Sequence, residues 1–285
     1  MPYLTPPPDP RPRPPRIRLP QGSCDCHLHF FGPASRYRWD PATRYTSADA
    51  LPETYFDVQR VLGLERAVVV SAGAYGTDYS LLAEALERHP DCLRGVILPP
   101  AEISEAEIRR LNALGVRGMR FISERRFAHL PPLDPRLARR AFDAAQWQVH
   151  FYPGGDLEGE AARLLALPNT VVLDHFAGMD ANRPSLDALF RMLDSGKAWV
   201  KLSGPMRCTQ AGFPYPDLAP VARALAERAP ERLVWGSDWP HVNMVGRAMP
   251  NDGDLVDLLA EWVPDEALRE RILVDNAAEL FGFPV

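Results

Sequence analysis

The sequence predicts a single (β/α)8 barrel preceded by a short proline-rich extension. Three observations carry that expectation. Eight short apolar runs alternate with amphipathic segments of helical period, the pattern of a parallel sheet covered by crossover helices. The 285 residues suit one barrel, which takes about 250. No GxGxxG follows any of the runs, which counts against an open nucleotide-binding sheet.

Residues 1–20 are crowded with Pro and Arg and read as an extended extension, because Pro lacks the N–H and fixes φ. The barrel is expected over 21–285. Its first strand is the stretch SCDCHLHFF from Ser23. Strict alternation puts Asp25, His27 and His29 on one face and Cys24, Cys26, Leu28 and Phe30 on the other. Three titratable groups on one face of an apolar strand are costly unless that face lines a site. The loop 32–51 carries Tyr37, Trp39 and Tyr45, and a loop of that length is more often functional than idle.

The remaining strands are read at 67–72, 93–98, 116–122, 147–152, 170–176, 198–203 and 233–237. Helices are read at 58–62 (the end of one), 78–88, 105–114, 135–146, 157–167, 185–193, 218–228, 255–262 and 266–274. Gly115 closes the 105–114 helix with a good C-terminal signal.

Composition narrows the function. The net charge of -5 gives no basic footprint for nucleic acid. No run approaches the roughly 18 apolar residues of a membrane helix, and no signal-peptide pattern opens the chain, so a cytoplasmic setting is expected. Cys24, Cys26, Cys92 and Cys208 form no CxxC pair, which gives no zinc knuckle or disulfide framework.

In such a barrel the chemistry sits at the C-terminal ends of the strands. His27 and His29 end the first strand. Arg120 ends the fourth, with Arg126 in the loop beyond. Tyr152 ends the fifth, and His150 shares its face two residues deeper. Asp174-His175 ends the sixth, Arg207 follows the seventh, and Asp238 ends the eighth. By alternation Asp174 is expected to face the helices, and Arg117 to look outward if Arg120 looks inward. His150 is left open between a site role and a buried ring, and Asp238 between a site role and a helix cap. Several Arg at one rim of an acidic protein suit a small carboxylate-bearing substrate.

The motifs DCHLHFFGP, RGMRF, LDHF and WGSDWPH resemble the amidohydrolase superfamily in its amidohydrolase-2 branch, and most nearly 2-pyrone-4,6-dicarboxylate lactonase and related lactone hydrolases of aromatic or sugar acid catabolism. The likeness spans Gly22 to Phe283. It implies that Asp238 is general base and acid, and that His27, His29 and His175 polarise the lactone carbonyl. It implies substrate contacts from Tyr45, Arg120, Arg126, Tyr152, Arg207, His241 and Asn243. Gly73 stands where that lactonase has a Ser, and His150 where it has an apolar residue.

No cofactor is expected, because Tyr152 occupies the place before Pro153 where metal-binding relatives carry a His, and Arg120 stands where a bridging ligand would be. The alternatives are a metal-dependent hydrolase or decarboxylase holding a divalent ion such as zinc on His27, His29, His150 and Asp238, a lactone isomerase, and a barrel that only binds an anion. The expected partner is a small anionic lactone, with no nucleic acid and no membrane.

Overall fold

The computed structural model describes residues 2–181 and 186–284. Eight strands lie parallel, each bonded to its neighbour in chain order: β1 (Cys24–Leu28), β2 (Arg66–Val70), β3 (Leu93–Ile97), β4 (Val116–Ile122), β5 (Gln148–Tyr152), β6 (Val171–Leu173), β7 (Ala198–Ser203) and β8 (Leu233–Gly236). The ring closes where β8 runs on to Trp239 and meets Leu28 in a parallel bridge. There the Asp238 N–H donates to the His27 carbonyl at 2.8 Å, and the His29 N–H to the Trp239 carbonyl at 2.8 Å. The expected (β/α)8 barrel is the observed fold.

Among the described residues eight helices alternate with the strands: α1 (Pro52–Leu62), α2 (Ser80–Arg88), α3 (Glu105–Leu114), α4 (Pro135–Ala145), α5 (Leu157–Leu165), α6 (Asp187–Asp194), α7 (Ala219–Arg228) and α8 (Asp252–Trp262). Their ends follow local chemistry. Ser104 accepts from the Glu107 N–H at the start of α3, and Asp134 accepts from the Arg136 N–H ahead of α4, where Pro135 needs no partner. α6 begins two residues after the expected Ser185, which lies outside the described residues. The expected 266–274 helix is a short helix Glu266–Glu270 followed by a wider turn, Arg271–Asp275. A further helix, Asn276–Phe281, was not read from the sequence. It plugs the barrel floor, where Leu280, Phe281 and Phe283 pack with Cys24, Cys26, Val68, Val96 and Val172.

β1 breaks the alternation the sequence suggested. Asp25 pairs with Ala67 and Leu28 with Val69, so β1 fits one extra residue against β2. Such a bulge turns the side chains beyond it to the other face. Asp25 therefore does not share a face with the two histidines. It accepts from the Tyr55 hydroxyl at 3.0 Å and from the Ser237 N–H at 2.9 Å, tying β1 to α1 and to the end of β8. His27 and His29, beyond the bulge, turn inward.

The extension is laid along the barrel. The Arg16 side chain donates to Asp257 at 2.9 Å, and Asn251 bonds the backbone of Arg13 at 3.0 Å, fixing the segment to α8. Its beginning forms a strand the sequence did not reveal: Tyr3–Thr5 pairs in parallel with Tyr45–Ser47. Among the described residues no helix is long and apolar enough to cross a membrane.

Candidate active site

Four side chains converge at the C-terminal rim. The Nε2 atoms of His29, His175 and His27 stand 3.7, 3.8 and 4.0 Å from one oxygen, Oδ1 of Asp238. All four are buried. Backbone geometry puts them there. Asp238 has φ 65 and His175 has φ 50, left-handed values that non-glycine residues seldom adopt. The turn at His175 also overrides alternation, so Asp174 and His175 both face inward. This corrects the expectation that Asp174 looks toward the helices. Gly204 has φ +53, and a Cβ there would lie 2.7 Å from Nδ1 of His175, so only glycine lets the chain pass this close to the ring.

The other oxygen of Asp238 is occupied. Nε and Nη2 of Arg207 each lie 2.8 Å from Oδ2, while Nη1 donates to the Val242 carbonyl at 2.5 Å. Burial alone would raise the Asp238 carboxyl, but Arg207 and the surrounding imidazoles outweigh it and hold the group far below the usual carboxylate range. Burial drives the histidines the other way: His29 falls to about 3 and His175 to about 4, and His27 also falls well below its ordinary value. Near neutral pH the site is an ionised carboxylate ringed by uncharged imidazoles.

Beneath lies a second polar layer that sequence reasoning missed. Lys201 of β7 is fully buried, with Nζ 3.1 Å from Nδ1 of His27 and 3.1 Å from Oδ1 of Asp174. Nε of Arg120 donates to Oδ2 of Asp174 at 2.7 Å. Burial would raise the Asp174 carboxyl, and Lys201 and Arg120 more than reverse it. The signal for Lys201 was present: a charged residue inside AWVKLS, an otherwise apolar parallel strand, needs a buried partner.

The pocket above these groups is lined by His29, Tyr45, Gly73, Arg120, Arg126, Phe127, Tyr152, His175, Arg207, Asp238, Val242 and Asn243. Tyr45, Arg120, Arg126, Tyr152, Arg207 and Asn243 are thus where the sequence placed substrate contacts. Arg120 uses only Nε on Asp174; among the described residues its two terminal nitrogens make no hydrogen bond. Arg126 sits at the rim, paired through Nε with Glu124 at 2.7 Å. A larger, more open hollow, lined by Arg36, Glu84 and Arg110 among others, lies elsewhere and contains none of the converging groups.

One expectation fails, and the alternative left open for His150 resolves to a buried ring. His241 is not in the pocket: it is fully buried and its Nε2 bonds Oδ1 of Asp252 at 3.0 Å, at the start of α8. His150 lies under the site, with Nε2 on Gln148 at 2.9 Å and Nδ1 4.0 Å from Asp174. The alternative metal set of His27, His29, His150 and Asp238 does not assemble. Among the described residues the groups that converge as possible ligands are His27, His175 and Asp238, with ligand atoms within 4.8 Å of one another. This set fits a divalent ion poorly. Arg207 already holds Asp238, and Lys201 stands directly behind His27, so an incoming dication meets two resident cations.

Residues 24–283 match the sequence pattern of the Amidohydrolase family Amidohydro_2. The chain belongs to the amidohydrolase family. This amidohydrolase is 37% identical over 274 residues to a 4-sulfomuconolactone hydrolase of Rhizobium radiobacter, covering 93% of this chain and 91% of that protein. It is 34% identical over 283 residues to a 2-pyrone-4,6-dicarboxylate hydrolase of Comamonas testosteroni, covering 94% and 92%. It is 32% identical over 277 residues to a D-galactarolactone isomerase of Agrobacterium fabrum, covering 94% and 93%.

Proposed function

We propose that this amidohydrolase opens a carboxylate-bearing lactone by water attack, with Asp238 taking and returning the proton and with no metal ion required. The observation that carries the reading is Oδ1 of Asp238, a carboxylate oxygen ringed by three neutral imidazoles at 3.7–4.0 Å beside a pocket that Arg120 also lines. The relatives named 4-sulfomuconolactone hydrolase and 2-pyrone-4,6-dicarboxylate hydrolase support it.

The imidazoles divide the work. Nδ1 of His29 lies 2.7 Å from the Val70 carbonyl, which can only accept, so the neutral ring carries its proton there and shows a lone pair at Nε2. That lone pair and Oδ1 of Asp238, 3.7 Å apart, are two acceptors that one water can bridge. His29 therefore orients the attacking water instead of polarising the carbonyl. Water oxygen bonds to the acyl carbon while its proton passes to Asp238. Imidazole N–H donors stabilise the oxyanion, as pre-placed donors do in acyl transfer. The ring C–O bond then breaks and Asp238 returns the proton to the leaving oxygen. Arg120 and Arg126 hold the substrate carboxylates.

The test is a proton-release assay on a panel of carboxylated lactones, run before and after chelation. Net acid release that survives chelation is the expected result. Ring rearrangement without net release would place the enzyme with isomerases, and release abolished by chelation and restored by an added divalent ion would overturn the metal-free mechanism.

A further inference from the structure

We propose that Lys201 is a positioning residue that fixes the tautomer of His27, so that His27 presents an N–H, and not a lone pair, to the reacting carbonyl. The part of this that concerns the carbonyl rests on the lactone reading; the tautomer does not.

The argument starts from donors and acceptors. An ammonium has three N–H donors and no acceptor, and a neutral imidazole has one of each. Nζ of Lys201 lies 3.1 Å from Nδ1 of His27 with hydrogen-bond geometry. Nδ1 must then accept, and the single ring proton sits on Nε2. The competing partner is Oδ1 of Asp174, 3.3 Å from Nδ1. That oxygen lies nearer to Nζ of Lys201, at 3.1 Å, where it serves as the ammonium's counter-ion. With the proton on Nδ1, the ring would point a donor at an ammonium.

The other end of the ring agrees. Nε2 of His27 is fully buried and has no hydrogen-bond partner among the described residues, although it faces Oδ1 of Asp238 at 4.0 Å. A buried N–H without a partner is costly unless a ligand supplies one. His27 lies just beneath the pocket lining, behind Asp238, so a lactone carbonyl oxygen that seats against Asp238 would supply it. Next to it, His29 has the opposite tautomer, imposed by the Val70 carbonyl. Two rings 5.0 Å apart thus perform opposite tasks, one donating to the electrophile and one accepting from water.

Residue choice supports a specific role. Only two of the chain's 32 Lys and Arg residues are lysines, Lys197 and Lys201. A compact ammonium reaches Nδ1 and Oδ1 from one atom without needing the room of a planar guanidinium. An N–H at Nε2 also cannot ligate a metal, which gives a physical reason for a metal-free site.

The experiment reads the ring directly. The full chain is labelled with 15N-histidine and the ring nitrogens are observed at neutral pH, with His27 assigned by the signals lost in His27→Gln. The expected result is protonated Nε2 and unprotonated Nδ1. In Lys201→Met, folded by circular dichroism, the proton should move to Nδ1, toward Asp174, and kcat on a cognate lactone should fall about 10²-fold with little change in KM. Wild-type His27 protonated on Nδ1 overturns the proposal whatever the activity. So does a folded Lys201→Met that keeps both the tautomer and kcat. If Lys201→Met does not fold, the wild-type spectrum alone decides. A wild-type enzyme that hydrolyses no lactone sinks the catalytic reading and leaves the tautomer result standing.

Discussion

Arg207 and Asp238 form a two-point ion pair, with Nε and Nη2 each 2.8 Å from Oδ2 of the carboxylate. The group proposed to take a proton is thus held in its least basic state. A substrate carboxylate that draws Arg207 away would restore basicity where water is bound, so substrate and base compete for one guanidinium.

This relationship predicts different outcomes for two variants. Asp238→Asn should lose about 10²-fold or more in kcat, since the amide cannot accept the water proton. Arg207→Met should raise the Asp238 carboxyl, so its pH–rate profile gains an acidic limb within the carboxylate range that the wild type lacks. It should also destabilise the fold by about 3–5 kcal/mol, because the carboxylate is left buried and unpaired. Near-normal turnover by Asp238→Asn would remove it as the base. An unchanged pH profile in Arg207→Met would show that the guanidinium does not control it.

Acid should unfold the protein early. His29 titrates at about 3 and His175 at about 4 in the fold, against about 6.5 in an unfolded chain. His27 and His150 are lowered in the same direction by burial. Each folded pKa lies below its unfolded value, so between those two values the unfolded state binds more protons. Stability contributed by the neutral rings is full above about pH 6.5 and is lost as pH falls toward 4. Each ring titrating only when unfolded contributes a slope of about 1.4 kcal/mol per pH unit. Urea midpoints measured from pH 7.5 to 4.5 should drop steadily, and a flat response would mean the rings are protonated in the folded protein.

The rim arginines separate binding from folding. Arg126 is partly exposed, pairs with Glu124 and lies over the Phe127 ring, so Arg126→Met should weaken an anionic lactone by about 1.5–3 kcal/mol and leave the melting temperature nearly unchanged. Arg120 is buried on Asp174, so Arg120→Met should weaken the same ligand and also destabilise the fold. Comparing KM for an anionic lactone and a neutral analogue, alongside thermal melts, checks both. Equal losses on the two ligands in Arg126→Met would deny it a role in charge recognition.

What the sequence made legible follows strand ends and local period. The barrel, its eight strands and the inward His27, His29, His175 and Asp238 could be read because each falls at the end of an apolar run. The failures have specific causes. Asp25 and Asp174 were misplaced where a bulge and a left-handed residue break the two-residue period. His241 was carried over from a motif, while the left-handed turn at His241 (φ 58) and the long-range partner Asp252 decide where its ring goes. Lys201 was visible as an anomaly, but its partners lie on β1 and just past β6. The strand Tyr3–Thr5 was hidden because its partner is some forty residues away across a proline-rich segment.

That hidden strand bears on the pocket. Tyr3 pairs with Tyr45 across a parallel ladder, its N–H donates to the Arg44 carbonyl at 3.0 Å, and its hydroxyl donates to Oδ1 of Asn243 at 2.7 Å. Tyr45 and Asn243 both line the pocket, from the loops that follow the neighbouring strands β1 and β8. The extension is therefore a strap joining the loop after β1 to the loop after β8. Tyr3→Phe removes one exposed hydrogen bond, worth at most about 1 kcal/mol, so KM should rise no more than about fivefold. Deleting residues 2–8 removes the ladder as well, and should raise KM further while kcat changes less, because Asp238 and the histidines keep their own partners deeper in the barrel. Steady-state kinetics on the two variants, with a melt to confirm the barrel, tests this. A truncated enzyme with wild-type KM would make the strap a bystander to binding, and a collapse of kcat at unchanged KM would place its influence on the chemistry instead.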